Sequence, residues 1–79
     1  MPEPHSSDFE ARLAGIWKDV LSNPDLRVKD DFFALGGDSL LALRLISVLR
    51  TELGIEVPIR IVFEFPTVES MARLIEESG

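Results

Sequence analysis

The fold is constrained most by apolar residues that recur at helical spacing in separate runs of a short chain. The clearest run extends from Leu40 to Leu53 and ends at Gly54, a residue type that is common just after a helix. It predicts a helix over residues 39–53. The side expected to face a core contains Leu41, Ala42, Leu45, Ile46, Leu49 and Leu53. The opposite side carries Leu40, Leu43, Arg44, Ser47 and Thr51, with Ser39 at its edge.

A first helix is predicted over residues 8–21. Ser7 and Glu10 have the spacing of a capping box, in which each side chain bonds a free backbone amide at the helix start. Trp17 lies within the apolar stripe, so we expect it in the core. The preceding residues 1–6 include two prolines and are expected to form a loose tail.

The end of the chain predicts a short helix followed by a longer one. Residues 59–64 are mostly apolar but few, which favours one or two helical turns, with a buried strand as the alternative. Pro66 ends this segment, because the residue before a proline avoids the helical region. Thr67 is then expected to cap a last helix over residues 68–77. Its inward side is predicted to hold Val68, Met71, Ala72, Leu74 and Ile75.

A 16-residue connection, residues 22–37, separates the first two long helices. Connections of this length in a compact domain are usually functional or packed on their own side chains. We expect the irregularly spaced apolar residues of this loop to anchor it by packing against the bundle: Leu26, Val28, Phe32, Phe33 and Leu35. A short strand over 26–28 is the alternative. The predicted fold class is all-α: a small antiparallel four-helix bundle with a short third helix and one long loop.

Composition limits the classes of function. Residues 1–79 make one small domain, and 46% apolar content is enough for a packed core. A net charge of −6 argues against nucleic acid as a partner. No apolar run approaches the ~18 residues of a membrane span. The absence of cysteine excludes disulfides and thiolate metal sites, so we expect a cytosolic protein, which we also expect to be monomeric.

Ser39 is the candidate functional residue. Gly36 and Gly37 precede it and leave no side chain to shield the approach to its hydroxyl. Asp38 is a good N-cap residue, which would put Ser39 in the first turn of the helix. Helix N-termini favour anions, so this is a suitable place for a group that will carry a phosphate.

A catalytic role for Ser39 is the competing interpretation. The string Gly-Asp-Ser-Leu also opens the active site of a family of serine hydrolases. That chemistry needs a strand before the serine, a histidine base and an oxyanion hole. Here a loop precedes Ser39, and the only histidine, His5, is in the predicted tail. Asp30, Asp31 and Asp38 lack the spacing of a calcium loop, so no metal site is expected either.

The segments LGGDSL, DDFFALGGDSLLALRL and VFEFPTVESMARLI resemble the peptidyl carrier (thiolation) domains of nonribosomal peptide synthetases. The resemblance covers about residues 9–77. It implies that a phosphopantetheinyl transferase attaches 4′-phosphopantetheine from coenzyme A to Ser39, with Gly36, Gly37 and Asp38 completing the motif. The thiol of the arm would carry an aminoacyl or peptidyl thioester. The implied further partners are adenylation, condensation and tailoring domains.

Asp38 departs from the family's common pattern, which has histidine at this position. Aspartate is commoner in fatty-acid and polyketide carriers, and it recurs in peptidyl carriers that feed epimerisation domains. The second helix argues against a fatty-acid carrier, because it carries Arg44, Arg50 and only Glu52. An acyl carrier of a polyketide or hybrid pathway is the alternative. The other alternative is an unmodified helical interaction module.

Leu40 and Leu43 are predicted to form a docking patch beside Ser39. Two leucines on the outer side of the second helix, with Arg44 and Ser47 interleaved, suggest partner contacts rather than core. Carrier domains also dock through their third helix, so Ile61 or Phe63 is expected to join this patch. The alternative is that residues 26–35 fold over one of the leucines and make it core.

Overall fold

The structure is a computed structural model that describes residues 4–78, with side chains described for residues 8–77. Four helices follow one another: α1 (Pro4–Leu21), α2 (Ser39–Leu53), α3 (Arg60–Glu64) and α4 (Val68–Ser78). Helix α1 packs against both α4 and α2. Residues 4–78 contain no strand, so both strand alternatives are wrong. The predicted all-α bundle with a short third helix is confirmed.

The core lies between the three long helices and takes two residues from the long loop. Its fully buried large side chains are Leu13, Trp17, Phe32, Leu45, Leu49, Val62, Val68 and Met71. Trp17 is therefore core, as its place in the apolar stripe of α1 predicts. Leu45 and Leu49 anchor α2 with Ala42 and Ile46, which follows from the 3.6-residue repeat.

Helix α2 begins and ends at the predicted residues because both ends are determined locally. Gly54 follows the helix with a φ of 66°. Its amide donates to the carbonyl of Arg50 (3.0 Å), and the Ile55 amide donates to that of Leu49 (3.3 Å). The bond from Gly54 to Arg50 is that of the αL capping motif, which satisfies a carbonyl of the last turn, and glycine adopts the left-handed conformation without a steric penalty.

Helix α1 starts earlier than predicted, at Pro4 rather than near Asp8. Residues 4–6 are therefore helical, and the prediction of a loose tail is wrong for them; residues 1–3 lie outside the described part. Ser7 is inside the helix, so it is not the N-cap of a capping box. The physical reason is that proline suits a first helical turn, where its missing N–H would have no intrahelical partner.

The last two helices follow the predicted order with small shifts. Helix α3 starts at Arg60, one residue later than predicted, and α4 extends to Ser78. Thr67 caps α4 as predicted, because its Oγ1 accepts from the Ser70 amide (3.0 Å). The Thr67 amide in turn donates to Ser70 Oγ (3.3 Å), which makes the cap reciprocal. Val68, Met71 and Ala72 are buried, and Leu74 and Ile75 are half-buried.

The long loop is held down by apolar side chains, as predicted. Leu26 and Phe32 are buried, and the other three predicted anchoring residues, Val28, Phe33 and Leu35, are half-buried against the core. Two backbone hydrogen bonds tie the loop to the far side of the bundle. The Phe32 amide donates to the carbonyl of Pro66 (2.7 Å), and the Glu69 amide donates to that of Val28 (3.0 Å).

Carboxylates in the same loop cap its turns. Oδ2 of Asp31 accepts from the amides of Phe33 and Ala34, both at 2.9 Å. Oδ2 of Asp30 accepts from the amide of Arg27, also at 2.9 Å. These short polar side chains replace the hydrogen bonds that a loop backbone lacks. The long connection is therefore an ordered part of the fold, and it leads directly to Ser39.

Candidate functional site

Ser39 is the first residue of α2, and its side chain is exposed. Asp38 is the N-cap, with extended backbone angles of φ −147° and ψ −174°. Its Oδ1 accepts from the Leu41 amide (2.9 Å), and its carbonyl accepts from the Ala42 amide (2.8 Å). The capping role predicted for Asp38 is therefore observed, and Ser39 lies at the positive end of the helix dipole.

The two glycines before Asp38 are required for different reasons. Gly36 has a φ of 99°, and a Cβ placed on it would meet nothing within 4 Å. Gly37 has no positive φ, but a Cβ there would collide with the Phe32 ring and lie 2.7 Å from the Phe32 carbonyl oxygen. Gly36 thus provides the turn and the open approach that were predicted for both glycines. Gly37 instead permits a close contact with Phe32, which the sequence did not indicate.

The outer face of α2 beside Ser39 is apolar. Leu40 is 74% exposed and Leu43 is 54% exposed. The alternative in which the loop covers one of them is therefore wrong. Arg44 and Ser47 are exposed on the same side, as predicted. Leu40, Leu41, Leu43 and Arg44 line an open surface groove at the start of α2, beside Ser39.

Helix α3 contributes Phe63 but not Ile61 to the accessible surface. Ile61 is 8% exposed and belongs to the core, so its prediction as an exposed contact is wrong. Phe63 is 49% exposed, as the alternative choice on α3 predicted. The physical reason is helical geometry: residues two apart on a helix point in different directions, so a short helix on the core buries only one of them.

Phe33 is a residue whose role the sequence analysis missed. Its ring stacks on that of Phe63 with centroids 5.0 Å apart and an interplanar angle of 13°. Its amide and carbonyl also belong to the tight turn before Gly36, whose amide donates to the Phe33 carbonyl (3.2 Å). The sequence signal for this role was the pair of adjacent aromatic residues in the loop, because one of two neighbours can pack in the core while the other contacts the surface. The stack links the loop before Ser39 to α3.

The site can present a hydroxyl and accept an anion. Amides in the first turn of a helix lack intrahelical partners, and a phosphate at the start of α2 is favoured by the helix dipole. Among residues 8–77, no group of three histidine, cysteine, aspartate or glutamate side chains is placed to bind a metal ion. The exposed serine, the open Gly36 side and the helix start fit a phosphodiester-linked group.

The fold and site define a small helical domain that presents one serine at the start of a helix. A family model described as the phosphopantetheine attachment site matches residues 11–75. The chain is 49% identical over 73 residues to tyrocidine synthase 3 of Brevibacillus parabrevis, covering 92% of this chain and 1% of that protein. The chain therefore spans only a small fraction of the synthetases it matches.

Solved structures agree with the sequence comparison. A nonribosomal PCP domain is 38% identical, with a TM-score of 0.75 and coverage of 94% of this chain and 91% of that chain. A chain from the complex of the phosphopantetheine transferase Sfp with coenzyme A and a peptidyl carrier protein is 31% identical. Its TM-score is 0.80, with coverage of 86% and 88%. The chain therefore belongs to the phosphopantetheine attachment-site family, among its peptidyl carrier domains.

No helix within residues 4–78 combines the length and the apolar character needed to cross a bilayer.

Replacing Asp38 separates its capping role from its charge. We expect Asp38→Ala to lower the free energy of unfolding by about 0.5–2 kcal/mol, because the Leu41 amide loses its partner. Asp38→Asn keeps an oxygen acceptor and should lose only a few tenths of a kcal/mol, since asparagine caps about as well. Urea unfolding followed by circular dichroism measures both. Equal losses in the two variants would contradict the capping role.

Proposed function

We propose that this domain carries an aminoacyl or peptidyl thioester on a 4′-phosphopantetheine arm attached to Ser39, in nonribosomal peptide biosynthesis. The observation that carries the proposal is the exposed Ser39 at the capped start of α2, in a chain of the peptidyl carrier family. The arm supplies a thiol that forms the thioester. The chain's own part is to hold Ser39 accessible and to present the loaded arm to partners.

Modification requires a second protein. Ser39 Oγ would attack the phosphorus that bears the pantetheine group in coenzyme A. A new oxygen–phosphorus bond forms, the bond to the nucleotide breaks, and adenosine 3′,5′-bisphosphate leaves. The Ser39 proton needs a base, and residues 8–77, whose side chains the structure describes, include no histidine. A phosphopantetheinyl transferase is therefore the first partner, and it supplies the base. The domain itself acts as a non-catalytic carrier.

The proposed docking surface consists of Leu40, Leu43, Arg44, Ser47 and Phe63, all exposed around the start of α2 and on α3. Fully burying a leucine or phenylalanine side chain contributes about 1.5–3 kcal/mol. Three such side chains could support contacts that form and break repeatedly, which a carrier with several partners requires. Adenylation, condensation and tailoring domains are the proposed partners besides the transferase.

An acyl carrier role in a polyketide or hybrid pathway is the second candidate, and Asp38 is the observation that favours it. The charges on α2 favour a peptidyl carrier, because its exposed charged residues are two arginines, Arg44 and Arg50, and only one acid, Glu52. The attachment chemistry at Ser39 is the same in both candidates. They differ in the downstream partner, and Asp38 in a peptidyl carrier would be compatible with an epimerisation domain.

Ser39→Ala tests the attachment site directly. Incubation of the wild-type chain with coenzyme A and the transferase Sfp should add one phosphopantetheinyl group, measured by intact-protein mass spectrometry. We expect no addition to Ser39→Ala, because no other serine among residues 8–77 is exposed at the start of a helix. Thr51→Ala, which removes another exposed hydroxyl of α2 outside the proposed docking surface, is the matched control and should be modified normally. Addition to Ser39→Ala would overturn the proposal.

Leu43→Asp tests the docking surface. The exposed position of Leu43 predicts a loss of unfolding free energy of no more than about 1 kcal/mol. Aminoacylation by the adenylation domain that loads this carrier should fall at least tenfold, because a carboxylate replaces an apolar contact. Ala11→Asp adds the same charge on an exposed part of α1 and should be loaded normally. Loading of Leu43→Asp at the wild-type rate would exclude Leu43 from the interface.

A further inference from the structure

We propose that Phe32 and Gly37 are positioning residues that fix Ser39 for modification. Phe32 contacts three parts of the fold: Trp17 of α1, Pro66 of the α3–α4 turn and Gly37 of the attachment motif. We call these three contacts the Phe32 latch. The inference rests on the proposed function, because Ser39 must be the acceptor for its position to matter.

Phe32 is held firmly on the side of the bundle. Its side chain is fully buried, and its ring meets that of Trp17 edge to face, with centroids 5.0 Å apart and an interplanar angle of 83°. Its amide donates to the Pro66 carbonyl at 2.7 Å. An aromatic pair of this geometry adds to the stabilisation from burial alone. Phe32 is therefore a fixed point relative to α1 and to the turn before α4.

Gly37 is held by that fixed point through both hydrogen bonding and packing. Its amide donates to the Phe32 carbonyl at 3.0 Å. The Phe32 ring and the same carbonyl occupy the space that a Cβ of residue 37 would need. The backbone at residue 37 can approach this closely only because glycine lacks a side chain. The latch thus fixes the residue two positions before Ser39.

Ser39 is consequently restrained from both directions along the chain. On the C-terminal side, the Asp38 carboxylate bonds the Leu41 amide and makes the first turn of α2 rigid. On the N-terminal side, the latch fixes Gly37 against the core. Gly36 adds no such restraint, because the space beside it is open. The consequence is that the direction of the Ser39 hydroxyl depends on one glycine and on the ring beneath it.

The latch also connects the serine to the docking surface. The rings of Phe32 and Phe33 meet edge to face at 5.2 Å, and Phe33 stacks on the exposed Phe63. A partner that docks on Phe63 therefore rests on the same loop that fixes Ser39. Phosphoryl transfer needs an aligned nucleophile, and a misplacement of about 1 Å can cost about 100-fold in rate. A loosened latch should thus slow modification, while Leu40 and Leu43 stay in place because α2 keeps its Asp38 cap and its buried residues.

The test compares Gly37→Ala with wild type in steady-state modification by Sfp and coenzyme A, at a temperature where circular dichroism shows both proteins to be folded. We expect kcat to fall at least tenfold for Gly37→Ala, with KM for the carrier within threefold of wild type, because Leu40 and Leu43 are unchanged. Gly15→Ala is the matched control. Its added Cβ meets nothing within 4 Å, so its kinetics should equal those of wild type.

A second variant keeps the test decisive if Gly37→Ala does not fold. Phe32→Leu keeps an apolar side chain in the core but removes the ring that contacts Trp17 and Gly37. We expect the same fall in kcat with KM within threefold, whereas a purely structural role would leave kcat per folded molecule unchanged. An unchanged kcat in a folded variant, or a rise in KM alone, would overturn the inference. Failure of wild type to be modified at Ser39 would instead overturn the proposed function.

Discussion

The burial of Phe32 is the interaction on which the rest of the structure depends. Ordering a loop residue costs about 1–2 kcal/mol of backbone entropy, and the connection between α1 and α2 is long. Burial of Phe32 and Leu26, with the caps from Asp30 and Asp31, offsets part of that cost. Because Phe32 also bonds Pro66, the same contact joins the loop to the turn before α4.

One side of α2 stabilises the core, and the other side is exposed beside Ser39. Ala42, Leu45 and Leu49 secure it in the core, while Leu40 and Leu43 remain exposed beside Ser39. A rigid helix with a capped start can offer one hydroxyl and an apolar surface at fixed relative positions. This arrangement suits a protein whose role is to be recognised and modified by others. In the proposed function, the chemistry of transfer belongs to the partners and the domain holds the serine in position.

Local signals made much of the fold predictable, and tertiary contacts account for what was missed. The bounds of α2 follow from Asp38, Gly54 and the helical repeat, all of which act within a few residues. The start of α1 was missed because a proline is compatible with both a tail and a first helical turn. Ile61 was misplaced because α3 is too short to show periodicity. The contact between Gly37 and Phe32 was missed because it depends on how the loop returns to the bundle.

The most direct test of this account is amide hydrogen exchange in the unmodified wild-type domain, measured by NMR. The Gly37 amide bonds the carbonyl of a buried residue, so its opening should require release of Phe32 from the core. We predict that the exchange free energy of Gly37 matches that of the Leu49 amide in α2, since both would then need global unfolding. Exchange of Gly37 near the rate of an unstructured peptide, with Leu49 protected, would contradict the account.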